Sequence, residues 1–458
     1  MNEKYSNLVY DTVVIGGGPA GSVAAIAAAR NGASVLLVER HGFLGGMLTA
    51  AGTGPMMSFH AGDVQVVRGI PEEIISRMKE KGLSCGHMKD AAGYCATITP
   101  FSSEGLKLTL EDMCIEAGVR ILYHTTFIDC VVENGEIKSV RLFAKNGFFN
   151  VRAKVFIDAS ADADLAVSAG VGTVYGRESD GVAQPMTLNM LVGGVDRDKV
   201  IEYIQNNHWD MLPTIPFDIL QMLPRTAIQG MNSVLANARR DGEFSLTNKA
   251  LLCFETNTLG EFIINMVHVY EKSAVDAFEL SDAEIEGRHQ AWEIFKVLKK
   301  YAAGFEDAYL IGTGPNIGIR ESRKINGIYK LTVEDLVGSV MFEDAIAMGG
   351  YPVDVHSPKV ADKGELPELS AGSWYSVPYR CLITNELSNL VVAGRCISTT
   401  HLACGATRVT PVLMAISQGA GTAAAIAVKC GCDVKEISVE ELRGVLLRDG
   451  AFLEEYKE

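Results

Sequence analysis

The fold is decided by the stretch Tyr10-Asp-Thr-Val-Val-Ile-Gly-Gly-Gly-Pro-Ala-Gly-Ser-Val-Ala-Ala-Ile-Ala-Ala-Ala-Arg30. A β-branched run leads into glycines and then into an alanine-rich helix, which the Asn31-Gly32 pair ends. A second apolar run, Ser34 to Val38, follows at once and finishes in Glu39. The segment therefore predicts a complete β-α-β unit, which requires a parallel sheet that is buried on both faces.

The glycines of this unit have the spacing of a dinucleotide-binding turn. Gly16 suits the tight turn, Gly18 the close approach of a pyrophosphate, and Gly21 the contact between helix and strand. Glu39 ends the second strand, where a carboxylate accepts hydrogen bonds from a ribose diol. These features predict binding of an adenine dinucleotide, against the alternative of a turn that serves packing alone.

Composition excludes several classes of protein. The chain has 458 residues, of which 48% are hydrophobic and 21% charged, so it is long enough for two or three ordinary globular domains. Its net charge of −15 disfavours a nucleic-acid partner. The N-terminus lacks a signal-like segment, and no stretch of about 18 uncharged apolar residues is evident. We expect a cytoplasmic protein without a membrane partner.

The ten cysteines do not indicate a redox or metal site. No C-x-x-C pair is present, and Cys430 and Cys432 make the closest approach to one. The sequence therefore predicts neither a disulfide framework nor a bound metal.

Domain organisation follows from the return of the glycine-rich pattern late in the chain. The run Ala153 to Ser160 reads as a buried strand, and the segments Asn389–Gly394 and Pro411–Lys429 read as a strand and a long small-residue helix. The prediction is an α/β protein with a Rossmann-like FAD/NAD(P)-binding domain in two parts and an inserted α+β substrate or cap domain. The predicted bounds are 8–174 for the first part, with a small insertion near 53–104, then 175–373 for the inserted domain, 374–432 for the second part and 433–458 for a C-terminal extension.

Five segments then resemble a known family. They are Gly16-Gly-Gly-Pro-Ala-Gly21, Leu44-Gly-Gly-Met47, Phe156-Ile-Asp-Ala-Ser160 with Asp162 and Asp164, Gly318-Ile-Arg-Glu-Ser-Arg-Lys324, and Leu390-Val-Val-Ala-Gly-Arg-Cys-Ile-Ser398. Together they resemble the FAD-dependent oxidoreductases of the glutathione-reductase type. More narrowly, they resemble a bacterial branch in which an I-R-E-S-R-R-I-x-G segment precedes P-x-D-x-H and G-R-x-I-S segments. The resemblance spans residues 10 to about 430 and implies FAD as the cofactor.

The resemblance also implies which residues bind FAD. Glu39 would bind the adenosine ribose, Met47 would lie beside the ring system, and Val131 would meet the adenine. Many members have a Gly-Asp pair where this chain has Gly394-Arg395, and an arginine there can bind pyrophosphate instead. The expected cofactor-binding residues are Gly16, Gly18, Pro19, Ala20, Gly21, Glu39, Arg40, Gly45, Gly46, Met47, Val131, Ala159, Gly394, Arg395, Arg408 and Val412.

The last glycine-rich helix has a predicted start. Thr410 suits an N-cap and Pro411 a first-turn position. In the flavoproteins that the chain resembles, the positive end of this helix faces the N1–C2 carbonyl side of the flavin. The alternative is a helix that only packs through its small residues. The run Ile311 to Gly318 is not interpreted as a second dinucleotide site, because its third glycine comes one residue late.

The expected catalytic residues are those whose side chains suit proton transfer or anion binding near the flavin. Arg320 and Arg323 can hold a carboxylate or the cofactor phosphates, or can pair with acids such as Glu321. The expected catalytic residues are His356, His401, Tyr379 and Arg320, and lesser candidates are Arg380, Arg408, His60 and Cys404.

These observations predict an FAD-dependent dehydrogenase or reductase. Hydride would pass between a small organic substrate and flavin N5, and the arginines favour an anionic substrate. The electron donor or acceptor and the oligomeric state have no signal in the sequence. Two alternatives stay open, namely a flavin monooxygenase and a non-catalytic or RNA-associated flavoprotein.

Overall fold

The computed structural model describes residues 8–212, 217–357, 359 and 366–454. In the first part of the chain the β-branched run before Gly16 is extended, and the alanine-rich run after Gly18 is helical. The elements of this part are β1 (Leu8–Ile15), α1 (Pro19–Arg30), β2 (Val35–Val38), β3 (Met56–Met57), β4 (His60–Ala61), β5 (Val64–Gln65), α2 (Ile70–Glu80), β6 (Met88–Lys89), β7 (Thr97–Thr99), α3 (Ser103–Glu116), β8 (Arg120–Leu122), β9 (Thr126–Glu133), β10 (Glu136–Ala144), β11 (Gly147–Asp158), α4 (Asp164–Ser168) and β12 (Thr173–Tyr175).

A parallel sheet forms the centre of this domain. β1 lies between β2 and β11 and runs parallel to both, and β8 continues the sheet beyond β2. All four residues of β2 are buried, as a strand covered on both faces requires. The predicted Rossmann-like parallel sheet is confirmed. On its other side, the first half of β11 pairs antiparallel with β10, which pairs with β9 across the turn at Asn134 and Gly135.

An antiparallel sheet characterises the inserted part. Its strand order is β14-β15-β16-β13-β17, and the 25-residue helix α8 precedes the edge strand β17. The elements are β13 (Met190–Gly193), α5 (Arg197–Asn206), α6 (Phe217–Met222), β14 (Ala227–Gly230), α7 (Asn232–Arg240), β15 (Leu251–Glu255), β16 (Phe262–Ile264), α8 (Ala277–Tyr301) and β17 (Tyr309–Thr313).

The chain then returns to the first domain. The remaining elements are β18 (Arg323–Ile325), α9 (Val333–Val337), β19 (Ala345–Gly349), β20 (Tyr375–Pro378), β21 (Leu390–Val392), α10 (His401–Thr407), α11 (Thr410–Cys430) and α12 (Val439–Arg448). β21 pairs in parallel with the last residues of β11, so the late strand joins the same sheet as the first one.

Two hydrophobic cores correspond to the two lobes, but they divide earlier than predicted. The second core consists mainly of residues between Met186 and Ile317. Residues from Ile325 onward, including Leu336 and Tyr351, belong to the first core. The predicted boundary at residue 373 is therefore too late, because β18 pairs with β12 and β19 pairs with β20 within the first lobe.

Helix α11 departs from two expectations. It begins at Thr410 with Val409 as its N-cap, so Thr410 is the first helical residue and not the cap. By length and composition α11 is apolar enough to cross a membrane, contrary to the expectation that no such stretch exists. Most of it is buried inside the protein against α1 and the sheet, which explains its apolar character.

At the end of α11, Cys430 and Cys432 form a disulfide, which the sequence did not predict.

Candidate active site

The turn between β1 and α1 requires glycine at two places. Gly16 has φ of 101°, and a Cβ there would lie 2.4 Å from the carbonyl oxygen of Ala159. A Cβ on Gly21 would lie 1.7 Å from the carbonyl oxygen of Gly16. The close contacts of β1, α1 and the end of β11 therefore exclude any side chain at these positions.

Gly18 differs from these two glycines, because the space beside it is open. The nearest heavy atom to a Cβ on Gly18 would be the Cα of Gly46, at 3.8 Å. Helix α1 starts directly afterwards with Pro19, and it has no side-chain cap and no acidic residue in its first turn. Free backbone N–H groups beside an open surface fit a pyrophosphate, so the residues present suit the phosphates of FAD.

Glu39 lies where the ribose of a bound dinucleotide is expected. Its buried carboxylate accepts hydrogen bonds from the backbone N–H of Gly17 at 2.6 Å and from that of His41 at 2.8 Å. These bonds fix the acid at the edge of the sheet and leave each oxygen a further lone pair. Arg40 beside it is exposed, and Val131, on strand β9, is 48% exposed.

Two further glycine turns meet the start of α1. Gly45 and Gly46 both have positive φ, and a Cβ on Gly46 would lie 2.9 Å from the Cα of Gly18. From the other side, a Cβ on Gly394 would lie 2.9 Å from the Cβ of Ala20. The structure thus brings together the Gly16–Gly21, Gly45–Met47 and Gly394 segments, each of which the sequence predicts to bind the cofactor.

Arg395 is held inside the protein. Its guanidinium donates to the carboxylate of Asp162 at 2.6 Å and to the hydroxyl of Ser322 at 2.9 Å. Arg323 donates to the Asp162 carbonyl at 2.6 Å and also pairs with the carboxylate of Asp164. The Asp162 carboxylate helps to keep the pKa of Arg395 raised against the opposing effect of burial. Both arginines therefore already have carboxylate partners.

A second group of polar residues forms around Arg320, which is only 4% exposed. Arg320 donates to the Pro185 carbonyl at 2.8 Å and, over 3.4 Å, to the side-chain oxygen of Asn265. Within the described residues it makes no bond to a carboxylate. Burial, followed by repulsion from Arg408, lowers the pKa of Arg320 to about 9.

Two histidines, both partly exposed, adjoin this arginine. Nε2 of His268 lies 3.3 Å from Nδ1 of His356. Burial and the charge of Arg320 lower the pKa of His268 to about 3. The pKa of His356 is lowered too, first by burial and then by Arg320, Arg408 and His268. Both rings are therefore neutral at pH 7.

Asp354 and Arg408 complete this group, which we call the Arg320 cluster (Arg320, His268, His356, Asp354 and Arg408). Arg408 donates to the carboxylate of Asp354 and to its carbonyl, both at 3.1 Å. The second carboxylate oxygen of Asp354 lies 3.7 Å from Nε2 of His356.

The cluster adjoins segments assigned to the cofactor. A Cβ on Gly318 would lie 2.8 Å from the terminal methyl carbon of Met47. A Cβ on Gly405, in α10, would lie 2.7 Å from the carbonyl oxygen of Asp354. Arg320 and Asp354 therefore belong to segments that contact the Gly45–Met47 turn and α10, just before α11 begins. Val412, in the first turn of α11, is fully buried.

The structure separates the other two expected catalytic residues from the cluster. His401 is buried, with its Nδ1 2.7 Å from a carboxylate oxygen of Glu321. The other oxygen of Glu321 accepts from fully buried Lys324, so His401 belongs to an internal ionic network. Tyr379 is buried in the first core and donates to the carbonyl of Val434 at 2.9 Å. These contacts give both side chains structural partners.

The lesser candidates also have local partners. Arg380 forms an ion pair with Asp344 at 2.9 Å, and Nδ1 of His60 lies 3.1 Å from the hydroxyl of Thr97. Cys404 is buried in α10, where burial raises its pKa.

Three residues near Arg320 were missed. Asp354 is the acidic residue of the P-x-D-x-H segment, which ends in His356, but the sequence pattern assigns it no role. His268 alternates with the buried residues Val267 and Val269, a pattern with no signal for function. Gln184 accepts a hydrogen bond from the backbone N–H of His356 at 3.3 Å, which only the tertiary structure reveals.

Comparison with known proteins gives partial matches to curated reductases. The digeranylgeranylglycerophospholipid reductase of Thermoplasma acidophilum is 26% identical over 211 residues, which are 43% of this chain and 50% of that protein. The enzyme of the same name from Methanoculleus marisnigri is 30% identical over 180 residues, 36% of this chain and 42% of that protein. The chain thus spans about half the length of the curated relatives it matches.

Solved structures share the fold. The flavin-dependent brominase Bmp2 superimposes with a TM-score of 0.50 at 15% identity, over 96% of this chain and 83% of that one. The sequence profile of a family described as FAD dependent oxidoreductase matches residues 11–446. The chain is therefore an enzyme that uses FAD, and it belongs to the FAD-dependent oxidoreductase family.

Proposed function

We propose that this enzyme transfers hydride between a small organic substrate and flavin N5, as a dehydrogenase or reductase. The observation that carries the proposal is the hydrogen-bonded pair of His268 and His356 beside Arg320. The reductase names of the curated relatives support the same class of reaction. FAD, when bound, supplies the hydride chemistry, so the protein has to bind the substrate and move the accompanying proton.

Hydrogen bonding defines where the histidine pair holds its protons. The amide nitrogen of Asn248 donates to the carbonyl of Met266 at 2.7 Å, which fixes the orientation of the amide. The same nitrogen lies 3.3 Å from Nδ1 of His268, and the His268 ring also donates to the Met266 carbonyl. Because Nε2 of His268 faces His356, we place the proton of neutral His268 on Nδ1, and Nε2 then accepts from Nδ1 of His356.

Neutral His356 then has a free lone pair on Nε2, the ring atom that the histidine pair leaves unused. The carboxylate of Asp354, 3.7 Å away, would stabilise a proton gained at this atom. A neutral ring with a free lone pair can act as a general base, and it can return the same proton as the acid when the reaction runs in reverse. We therefore assign proton transfer to His356, with His268 as its positioning residue.

The binding roles follow from the glycine turns. The backbone N–H groups at the start of α1 bind the pyrophosphate, and Glu39 binds the ribose. Arg395 and Arg323 hold the turn that follows β11 through Asp162 and Asp164. We assign the chain to the bacterial branch with the I-R-E-S-R-R-I-x-G and G-R-x-I-S motifs. We further propose a cytoplasmic location and no nucleic-acid or membrane partner.

Anaerobic flavin bleaching tests the proposal. The FAD-loaded protein is mixed with candidate substrates in a stopped-flow instrument, and the loss of absorbance near 450 nm is followed. His356→Asn should slow bleaching about 100- to 10,000-fold while FAD stays bound, because a general acid or base is lost. His289→Asn, on the exposed face of α8, is the matched control and should leave the rate unchanged.

Three outcomes would contradict the proposal. Equal rates for His356→Asn and wild type would remove His356 from proton transfer. Substrate-dependent consumption of oxygen and a nicotinamide donor, with one oxygen atom found in the product, would instead identify a monooxygenase. A bound flavin that no reductant bleaches would indicate a non-catalytic role.

A further inference from the structure

The charge balance of the Arg320 cluster indicates which substrates fit it. Arg408 and Asp354 neutralise each other through their 3.1 Å ion pair. Both histidines are neutral because burial and the two arginines depress their pKa values. Glu321, next to Arg320 in the chain, is already paired with Lys324 and His401. The group therefore retains one positive charge, that of Arg320.

Unused hydrogen-bond donors accompany this charge. Arg320 has five N–H groups, and the described residues accept from only two of them. The Nε of Arg408 is buried without a partner in the described part of the chain. The same holds for the amide nitrogen of Gln184, whose oxygen accepts from the backbone of His356. Buried donors without partners are costly, so their occurrence around one arginine points to a missing acceptor.

We propose that Arg320 binds a carboxylate of the substrate, with Arg408 Nε and the Gln184 amide as further donors. A carboxylate is planar, as the guanidinium fork is, and its single charge matches the charge that the cluster leaves uncompensated. A phosphate dianion would exceed this charge by one. The enzyme would therefore act on small organic acids and hold the carboxylate next to Nε2 of His356. This inference rests on the proposed function, because it names the substrate class of the same site.

Calorimetric titration of the FAD-loaded protein tests the inference. The probes are propionate and benzoate, the neutral propionamide and benzamide of matched shape, and inorganic phosphate. At least one carboxylate should bind with a saturable isotherm, about 10- to 100-fold more tightly than its amide, because a charge-assisted bond to Arg320 is lost in the amide. This comparison uses wild-type protein and does not depend on the folding of a variant.

Variants then assign the site. Arg320→Met should weaken carboxylate binding about 10- to 100-fold and leave the FAD content unchanged. Arg320→Lys should restore part of the affinity, because it keeps the charge but loses the planar fork. Arg240→Met, an exposed arginine on the inserted lobe, is the matched control and should bind as wild type does.

Three results would overturn the inference. They are equal binding of acid and amide, binding of phosphate but of no carboxylate, and loss of FAD from Arg320→Met, which would assign the arginine to the cofactor. The bleaching experiment with His356→Asn is independent of these results. Hydride transfer without carboxylate binding would refute only the inference, and carboxylate binding without hydride transfer would refute only the proposed function.

Discussion

Gly18→Ala separates the role of the first turn in cofactor binding from its role in folding. Gly18 has φ of −63° and ψ of −178°, a conformation that alanine adopts readily. The new methyl group would meet no heavy atom of the protein closer than 3.8 Å. The fold should therefore tolerate the change. Because alanine restricts the conformations of the unfolded chain, the substitution can raise the free energy of unfolding by about 0.4–1 kcal/mol.

The cost of Gly18→Ala should appear only when FAD binds. The methyl group would occupy the open surface through which the pyrophosphate approaches the N-terminus of α1. Displacing the phosphates from one or two backbone N–H groups loses charge-assisted hydrogen bonds of about 1.5–3 kcal/mol each. The affinity for FAD should thus fall by at least about 10-fold, and by more than about 100-fold if two bonds are lost.

The assay compares two measurements on cofactor-free protein. Urea denaturation gives the free energy of unfolding, and titration with FAD, followed by quenching of flavin fluorescence, gives the dissociation constant. Gly444→Ala, in the exposed part of α12, is the control and should leave FAD binding unchanged. Gly21→Ala should instead destabilise the protein itself, since its Cβ would lie 1.7 Å from the carbonyl oxygen of Gly16. Wild-type affinity in Gly18→Ala would refute the assigned approach of the pyrophosphate.

Three further predictions concern stability. Gly421→Ala should cost about 1–3 kcal/mol by urea denaturation, because its Cβ would lie 2.1 Å from the carbonyl oxygen of Ala24 and force α11 away from α1; an unchanged midpoint would contradict this contact. Arg395→Met should lower the free energy of unfolding by about 3–5 kcal/mol, because it leaves the Asp162 carboxylate unpaired. In a double-mutant cycle, the addition of Asp162→Asn should recover part of this loss. The pKa of His268 is about 3 in the folded protein and near 6.5 in the unfolded chain, so the unfolded chain binds more protons between these values. The free energy of unfolding should therefore fall as the pH drops from about 6.5 to about 3. His268→Asn should show a shallower fall, and a profile identical to that of the wild type would contradict the pKa shift.

Local sequence was enough to predict the cofactor turns. Gly16 and Gly21 need their conformation because of contacts within one β-α-β unit, and Glu39 ends the strand of the same unit. Such contacts lie within about 30 residues of each other, so spacing and residue type determine them. The same reasoning predicted the parallel sheet, because continuous apolar strands joined by a helix allow few other arrangements.

The ionic partners could not be predicted in this way. Arg395 follows a strand at the cofactor edge, yet its carboxylate partner Asp162 lies 233 residues earlier in the chain. Tyr379 lies shortly before the late strand β21, and its hydroxyl nevertheless donates to the carbonyl of Val434. The direction of a side chain depends on tertiary packing, which no local pattern in either segment specifies.

The histidine pair illustrates the same limit for the candidate site. His268 and His356 are 88 residues apart and come from different lobes, so neither local sequence contains a sign of the other. His356 could be proposed because of the Tyr351–His356 segment, whereas His268 stands within an ordinary apolar alternation. Their contact exists only because tertiary packing brings the segment after β16 against the segment that contains His356.

A comparison of two neighbouring cations supports the proposal that the Arg320 cluster binds an anion. Lys324 is fully buried, but its charge is compensated by Glu321, which also contacts His401. Arg320, four residues earlier, is buried to a similar extent and lacks such a carboxylate in the described residues. Burying an uncompensated charge lowers stability, and the lowered pKa of Arg320 reflects that cost. The fold thus compensates the lysine internally, and the proposed substrate carboxylate would supply the negative charge that Arg320 lacks within the described residues.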